Sequence, residues 1–157
     1  IIYAGLPIQF RWMAKQELFR VPFFGLAMKR SGIIAIDRSN RRTTMHSIIV
    51  AAQRIKEGTS VIIFPEGTRT PDGQLQEFKK GALLIATKAQ VPVVPIAIHG
   101  SFQIQPKDRW MVKGGPLQIE ILPPISTEGL KSSDLDTLTH KVHNQIAQSL
   151  QGAPKNA

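Results

Sequence analysis

The stretch Phe64-Pro65-Glu66-Gly67-Thr68-Arg69 concentrates residue types that handle an anion. It ends the β-branched run Val61-Ile62-Ile63-Phe64, which reads as a buried strand stopping at Pro65. A Glu, a Gly and an Arg are thereby delivered into a polar loop rich in turn residues. Backbone N–H groups in such a loop can face an anion, Gly67 permits close approach of the main chain, and Arg69 carries a planar fork matched to phosphate oxygens. Lys79 and Lys80 follow at a helix start and add positive charge. The same residues also suit a charged surface turn closed by an internal Glu66–Arg69 pair, and loop composition alone does not choose between the two.

The remaining candidates are weaker. The chain has no cysteine, which excludes disulfides, thiolate zinc sites and a cysteine nucleophile. Its histidines are His46, His99, His140 and His143. Asp136, His140 and His143 fall on one helix face, a grouping that could hold a metal, but no further ligand lies nearby and a solvated face is the expectation. His99, at a strand end, reads as a turn residue.

Alternating strands and helices must position these side chains. Phe10 to Ala14 reads as a strand, Pro22 opens a short helix reaching Arg30 and closed by Gly32, and Gly32 to Ile36 is a second strand. Asn40 caps a helix with Met45, Ile48, Ile49, Ala52 and Ile55 on its apolar stripe and Gly58 just past its end. After the loop, a helix starts near Lys79 and ends before Val91. Val93 to Ile98, with Pro92 beside it and Pro95 inside it, is a bent or edge strand, and Leu117 to Leu122 is a further strand. Ser132 or Ser133 caps a final helix with Leu135, Leu138, Val142, Ile146 and Leu150 on one stripe. The pattern predicts a single α/β domain, a mainly parallel or mixed central sheet flanked by helices, over 1–151, with a disordered tail over 152–157. One domain also suits 157 residues at 42% hydrophobic content.

The hexapeptide resembles the Phe-Pro-Glu-Gly-Thr-Arg signature of the glycerolipid acyltransferases, above all the 1-acylglycerol-3-phosphate acyltransferases. Three more stretches match in order. Ala14-Lys15-Gln16-Glu17-Leu18 with Pro22-Phe23-Phe24-Gly25 resembles the family's Ala-Lys-Lys-Glu-Leu region. Gly32 to Arg38 resembles its block ending in Asp-Arg, and Val91-Pro92-Val93-Val94-Pro95-Ile96 its last block. The resemblance spans roughly Ile2 to Pro124.

By that resemblance, Lys15 and Arg69 hold the phosphate of a lysophospholipid acceptor, Glu66, Gly67 and Thr68 shape its pocket, Arg38 contacts the glycerol phosphate, and Pro95 lies on the acyl-donor side. The implied reaction transfers an acyl group from acyl-CoA or acyl carrier protein to lysophosphatidic acid, giving phosphatidic acid, with no metal or organic cofactor. Another lysophospholipid or glycerol 3-phosphate is an alternative acceptor. The family's general base is a His followed by four residues and an Asp, which orients the imidazole. The residues five positions after the four histidines are Ala51, Ile104, Gln145 and Gln148, so none fits. The expectation is that the motif lies ahead of Ile1, that the domain is truncated at its N-terminus, and that the fragment alone is inactive. A noncatalytic lipid-binding domain of the same fold is the alternative.

Charge bears on partners. Twenty Lys and Arg against eleven Asp and Glu give a formal charge of +9, suited to anionic partners. Nucleic acid is disfavoured because aromatics are only 6% and cluster at 10 to 24. An anionic membrane surface fits better. Leu18, Phe19, Val21, Phe23, Phe24, Leu26 and Met28 interleave with Arg20, Lys29 and Arg30, a composition that either lies at a lipid interface or faces a core. No apolar run approaches the ~20 residues of a membrane span. The resemblance implies peripheral association with the cytoplasmic face of a membrane.

Overall fold

The computed structural model describes residues 5, 6, 8–37, 39–107 and 111–152. Strand β1 (Phe10–Lys15) is central to a three-stranded sheet of order β2-β1-β3, with β2 spanning Ile34–Ile36 and β3 Ser60–Ile62. Both pairings are parallel, with Met13 opposite Ile34 and Arg11 opposite Val61. Parallel neighbours need crossovers, and the chain supplies them. A 3-10 turn (Gln16–Arg20) and helix α1 (Phe24–Arg30) lead from β1 to β2, and α2 (Arg41–Lys56) leads from β2 to β3. Helix α3 (Lys80–Ala89) then packs beside α2, and Ile34, Ile48, Ala51, Leu84 and Ile85 form one core with Met13, Val61 and Ile63 against it.

A second core lies on the far side of α3. Leu83 meets Ala97 of β4 (Ile96–His99), Leu122, Ile125, and Leu138, Val142 and Ile146 of α5 (Leu135–Gly152). Strand β4 pairs antiparallel with β5 (Gln118–Ile121), so the fold holds a parallel sheet and an antiparallel pair. Leu135 touches both cores and α3 is their shared wall. The α/β reading with a parallel sheet flanked by helices is therefore what the chain adopts. Among the described residues no helix is long and apolar enough to cross a membrane.

Several local expectations need correction. Asn40 does cap α2, accepting from the Thr43 N–H at 2.9 Å, but Met45 and Ile49 are exposed. The buried face is Ser47, Ile48, Ala51 and Ala52, of which Ile48 and Ala51 pack against Leu84 and Ile85 of α3. Helix α1 begins at Phe24 rather than Pro22. Strand β4 starts only after Pro95, because proline cannot donate to the ladder, and Val93 keeps a single bridge to Ile125. Neither Ser132 nor Ser133 caps the last helix. They form a 3-10 turn in which the Asp134 carboxylate accepts from the Lys131 N–H at 2.7 Å. Helix α5 runs through Gly152, so the expected tail overlaps it by one residue and otherwise lies outside the described residues. The four-residue helix α4 (Ser101–Ile104) has too short a pattern to be read from sequence.

Ile85 is 1% exposed in the first core. Ile85→Ala is expected to cost about 2–5 kcal/mol in urea unfolding, because the site can collapse only partly. Ile121→Ala, at a half-exposed strand position, should stay within ~0.5 kcal/mol.

Candidate anion site at the carboxyl end of the parallel sheet

From β1 the chain first builds β2 on one side and later returns to place β3 on the other. That reversal makes β1/β3 the topological switch point, and the crevice outside the carboxyl ends there is where open α/β sheets bind ligands. Lys15 ends β1 and is exposed, while β3 runs out through Ile63 into the loop from Phe64. The Phe64 ring stacks on Trp12 of β1, with centroids 5.7 Å apart and planes 10° apart, which ties the loop's first residue to the central strand.

The loop's internal bonding separates the anion-site reading from the closed charged turn. Glu66 does not pair with Arg69. Its Oε2 accepts the Gln76 N–H at 3.0 Å, Gly67 N–H donates to the Phe64 carbonyl at 3.1 Å, and Lys79 N–H donates to the Pro65 carbonyl at 2.8 Å. Thus 64–67 is fastened to 76–79, and the intervening arc is left outside. Thr68 and Arg69 are exposed, their backbone N–H groups bond to no described residue, and Arg69 makes no ion pair with one. The farther arc closes on itself. Asp72 Oδ1 accepts from Thr70 Oγ1 at 2.8 Å and from the Gln74 N–H at 3.0 Å, and these bonds, the Gln74 one foremost, hold its carboxyl below the usual carboxylate range.

Two lysines adjacent in sequence diverge. Lys80 pairs with Asp136 at 2.6 Å. Lys79 has no ion pair among the described residues, and its side chain lies over Gly67, where an added Cβ would stand 2.9 Å from Nζ. Gly67 holds φ +73, a conformation glycine adopts without strain. Sequence reasoning noted the cationic pair but not which lysine the loop retains. The deciding signal was Asp136, in the first turn of a helix remote in sequence. Gln76 Nε2 is the one buried side-chain donor without a partner among the described residues.

The other expected residues distribute as follows. Arg38 lies outside the described residues, but its neighbour Asp37 sits past β2, its carboxyl lowered chiefly by hydrogen bonds from Ser39. Pro95 is buried at the start of β4, its carbonyl accepting from the Leu122 N–H at 2.9 Å, in the second sheet rather than at the first sheet's carboxyl end. Asp136 is held by Lys80 and His143 lies edge-on to Phe78 at 4.9 Å, so Asp136, His140 and His143 are not gathered as ligands. Among the described residues no three His, Asp or Glu groups converge as a metal would require. His99 is not a turn residue. It is the last residue of β4, largely buried, with Nε2 at 3.4 Å from both Glu120 Oε2 and Ser149 Oγ. That cluster fastens β4 and β5 to α5. A cavity of about 370 Å³ beside the 3-10 turn is lined by Gln16, Phe19, Arg20 and Lys29 together with His46 and Val50 of α2, which the sequence did not join to them.

An acyltransferase family model matches residues 1–99. The chain is 35% identical over 142 residues to the chloroplast 1-acyl-sn-glycerol-3-phosphate acyltransferase BAT2 of Brassica napus, covering 90% of this chain and 40% of that protein. It is 36% identical over 137 residues to the 1-acyl-sn-glycerol-3-phosphate acyltransferase of Pseudomonas aeruginosa, covering 87% and 53%. The crystal structure of PlsC, the 1-acyl-sn-glycerophosphate acyltransferase of Thermotoga maritima, superposes with a TM-score of 0.74 at 31% identity, over 90% of this chain and 56% of that one. The chain therefore spans about half the length of the relatives it matches.

Gly67→Ala forces an alanine to positive φ, at a cost of about 1–3 kcal/mol. Gly58→Ala, at φ +93 with nothing within 4 Å, should cost a similar amount. Only Gly67→Ala should move Lys79 aside and weaken inorganic phosphate binding in a chemical-shift titration. Equal phosphate affinity in both variants would remove Lys79 from the anion site.

Proposed function

This chain belongs to the acyltransferase family, and from that premise we propose that its protein transfers an acyl group from acyl-CoA or acyl carrier protein to the free hydroxyl of lysophosphatidic acid. The hydroxyl oxygen attacks the thioester carbonyl, the C–S bond breaks, and phosphatidic acid and a free thiol result. The observation that carries the reading is the arc after β3, where Arg69 and Lys79 have no ion pair among the described residues and a carboxylate, Glu66, is already committed to the backbone.

In this reading Arg69, Lys79 and Lys15 hold the acceptor's phosphate, while Glu66, Gly67 and Thr68 keep the loop's shape. Arg38 contacts the glycerol phosphate and Pro95 supports the donor side. Fixing the phosphate sets the hydroxyl near the base, a positioning effect that can supply several kcal/mol. The base is a histidine other than His46, His99, His140 and His143, since none has an Asp five positions on. A His-x4-Asp encoded ahead of Ile1 would supply it, and residues 1–157 alone would bind acceptor without turning it over. No cofactor takes part. The protein works peripherally on the cytoplasmic face of a membrane, where both acceptor and product reside.

The test is steady-state kinetics of the whole protein with lysophosphatidic acid, other lysophospholipids, glycerol 3-phosphate and monoacylglycerol as acceptors. Arg69→Ala should raise KM for phosphate-bearing acceptors and leave monoacylglycerol unaffected. Arg69→Lys should rescue poorly, because a point charge cannot reproduce the two-pronged contact. Unaltered kinetics with lysophosphatidic acid would sink the phosphate role. His99→Ala should leave kcat within about twofold after correction for folded fraction, whereas loss of a general base costs about 10²–10⁴. A loss of that size would relocate the centre to His99.

A further inference from the structure

We propose that the turn Val21–Phe24, with Phe23 at its apex, is a wedge that inserts into an anionic bilayer and points the carboxyl end of the parallel sheet at the lipid. The inference rests on the membrane reading above and names the surface that would perform it. Val21, Phe23, Phe24 and Leu26 are all exposed, Phe23 at 89%. The sequence pattern left open whether this apolar run faces a core. Only Gly25 and Met28 of α1 are buried. The largest apolar side chains point outward.

The backbone is built to hold them there. Phe24 N–H donates to the Pro22 carbonyl at 2.6 Å, a three-residue turn that leaves Phe23 at φ 59 and ψ −50. Such a turn is rare and strained for a residue with a side chain. Gly25 N–H then donates to the Val21 carbonyl at 2.8 Å, and Ala27 N–H to the Phe23 carbonyl at 2.9 Å. A Cβ on Gly25 would collide with the Phe19 carbonyl oxygen, so only glycine lets α1 close on the preceding 3-10 turn. Strain and exposure thus fall on one residue, Phe23, where glycine would relieve both. At 89% exposure the Phe23 ring contributes little to the packing of the described residues.

Charge identifies the occupant. From Gln16 to Ser31 the basic residues are Arg20, Lys29 and Arg30 against the single acid Glu17. All three cations are exposed and none has an ion pair within 4 Å among the described residues, though Arg20 lies near enough to Asp37 to add to the lowering of its carboxyl by Ser39. Arg20 and Lys29 line the cavity next to the turn. An apolar tip with a cationic collar matches a lipid surface with phosphate groups above acyl chains. The segment directly follows Lys15, so insertion brings the loop of Arg69 to the membrane face that holds a phosphate-bearing amphiphile.

The absence of cysteine makes a direct test simple. Phe23→Cys and, as a remote control, Ile121→Cys carry an environment-sensitive fluorophore, and phosphatidylcholine vesicles are offered with or without phosphatidylglycerol. Sedimentation measures binding separately. The expected result is co-sedimentation with the phosphatidylglycerol vesicles, weakening as salt rises, with a blue shift at 23 and none at 121. Phe23→Gly should weaken partition about tenfold, in line with losing one buried aromatic side chain. It should also melt no earlier than the parent, a pairing that a structural role for the ring would not give. Co-sedimentation with the probe at 23 still in water would overturn the wedge and leave the membrane reading standing. No sedimentation would end both. A blue shift that needs no vesicles and grows with protein concentration would assign the tip to self-association and overturn the proposal.

Discussion

Parallel pairing of β1 on both of its edges is the constraint from which the candidate site follows. A strand with two parallel neighbours must send the chain back across the sheet twice, and here the two returns leave on opposite sides. Every carboxyl end then opens on one edge. Lys15, Asp37 and the run from Phe64 to Arg69 are far apart in sequence, but the three-strand topology gives them that edge in common. The stack of Phe64 on Trp12 extends the coupling past the last β3 hydrogen bond, so the loop starts from a fixed point on the central strand.

Much of this was legible in the sequence because it is local. A weak alternation located β1, apolar runs beside Gly32 and Pro65 located β2 and β3, and Asn40 ahead of an apolar stripe located the start of α2. What failed was also of one kind. The buried face of α2 is decided by where α3 packs, the beginning of β4 by which N–H groups Pro95 lacks, and the last helix's start by Asp134 reaching back to Lys131. Each depends on a partner, or on a choice among several polar residues that fit equally well. The site follows the same division. The type and order of Glu66, Gly67 and Arg69 suggested an anion loop, while the fate of Glu66 and the separation of Lys79 from Lys80 depended on Gln76 and Asp136.

The net charge of +9 acquires a location in the structure. Lys80 is neutralised by Asp136, but Arg69 and Lys79 at the loop, and Arg20, Lys29 and Arg30 around α1, are without ion pairs among the described residues. Exposed ion pairs contribute little to stability, so leaving these cations unpaired costs the fold almost nothing. Their field remains available to an external anion.

A carboxylate inside the loop proposed to bind an anion looks self-defeating, since two like charges a few ångströms apart repel by about 4 kcal/mol at an effective dielectric constant near 20. The bonding of Glu66 resolves the conflict. One of its oxygens is turned back to the Gln76 N–H, and the bond it makes there carries no information about the ligand. It closes ten residues of irregular chain across their base, in a segment that has no helix or strand to hold it. A glutamine at this position could accept the same hydrogen bond, but a charge-assisted bond to the backbone is roughly twice as strong. A leucine could not make the bond and would release the arc. Among the described residues, the arginine three positions on has no ion pair, with the glutamate turned to Gln76 instead. The order Glu-Gly-Thr-Arg therefore separates the two roles within a single turn. Its carboxylate binds the protein, its glycine admits the lysine, and its guanidinium is left for what comes from outside.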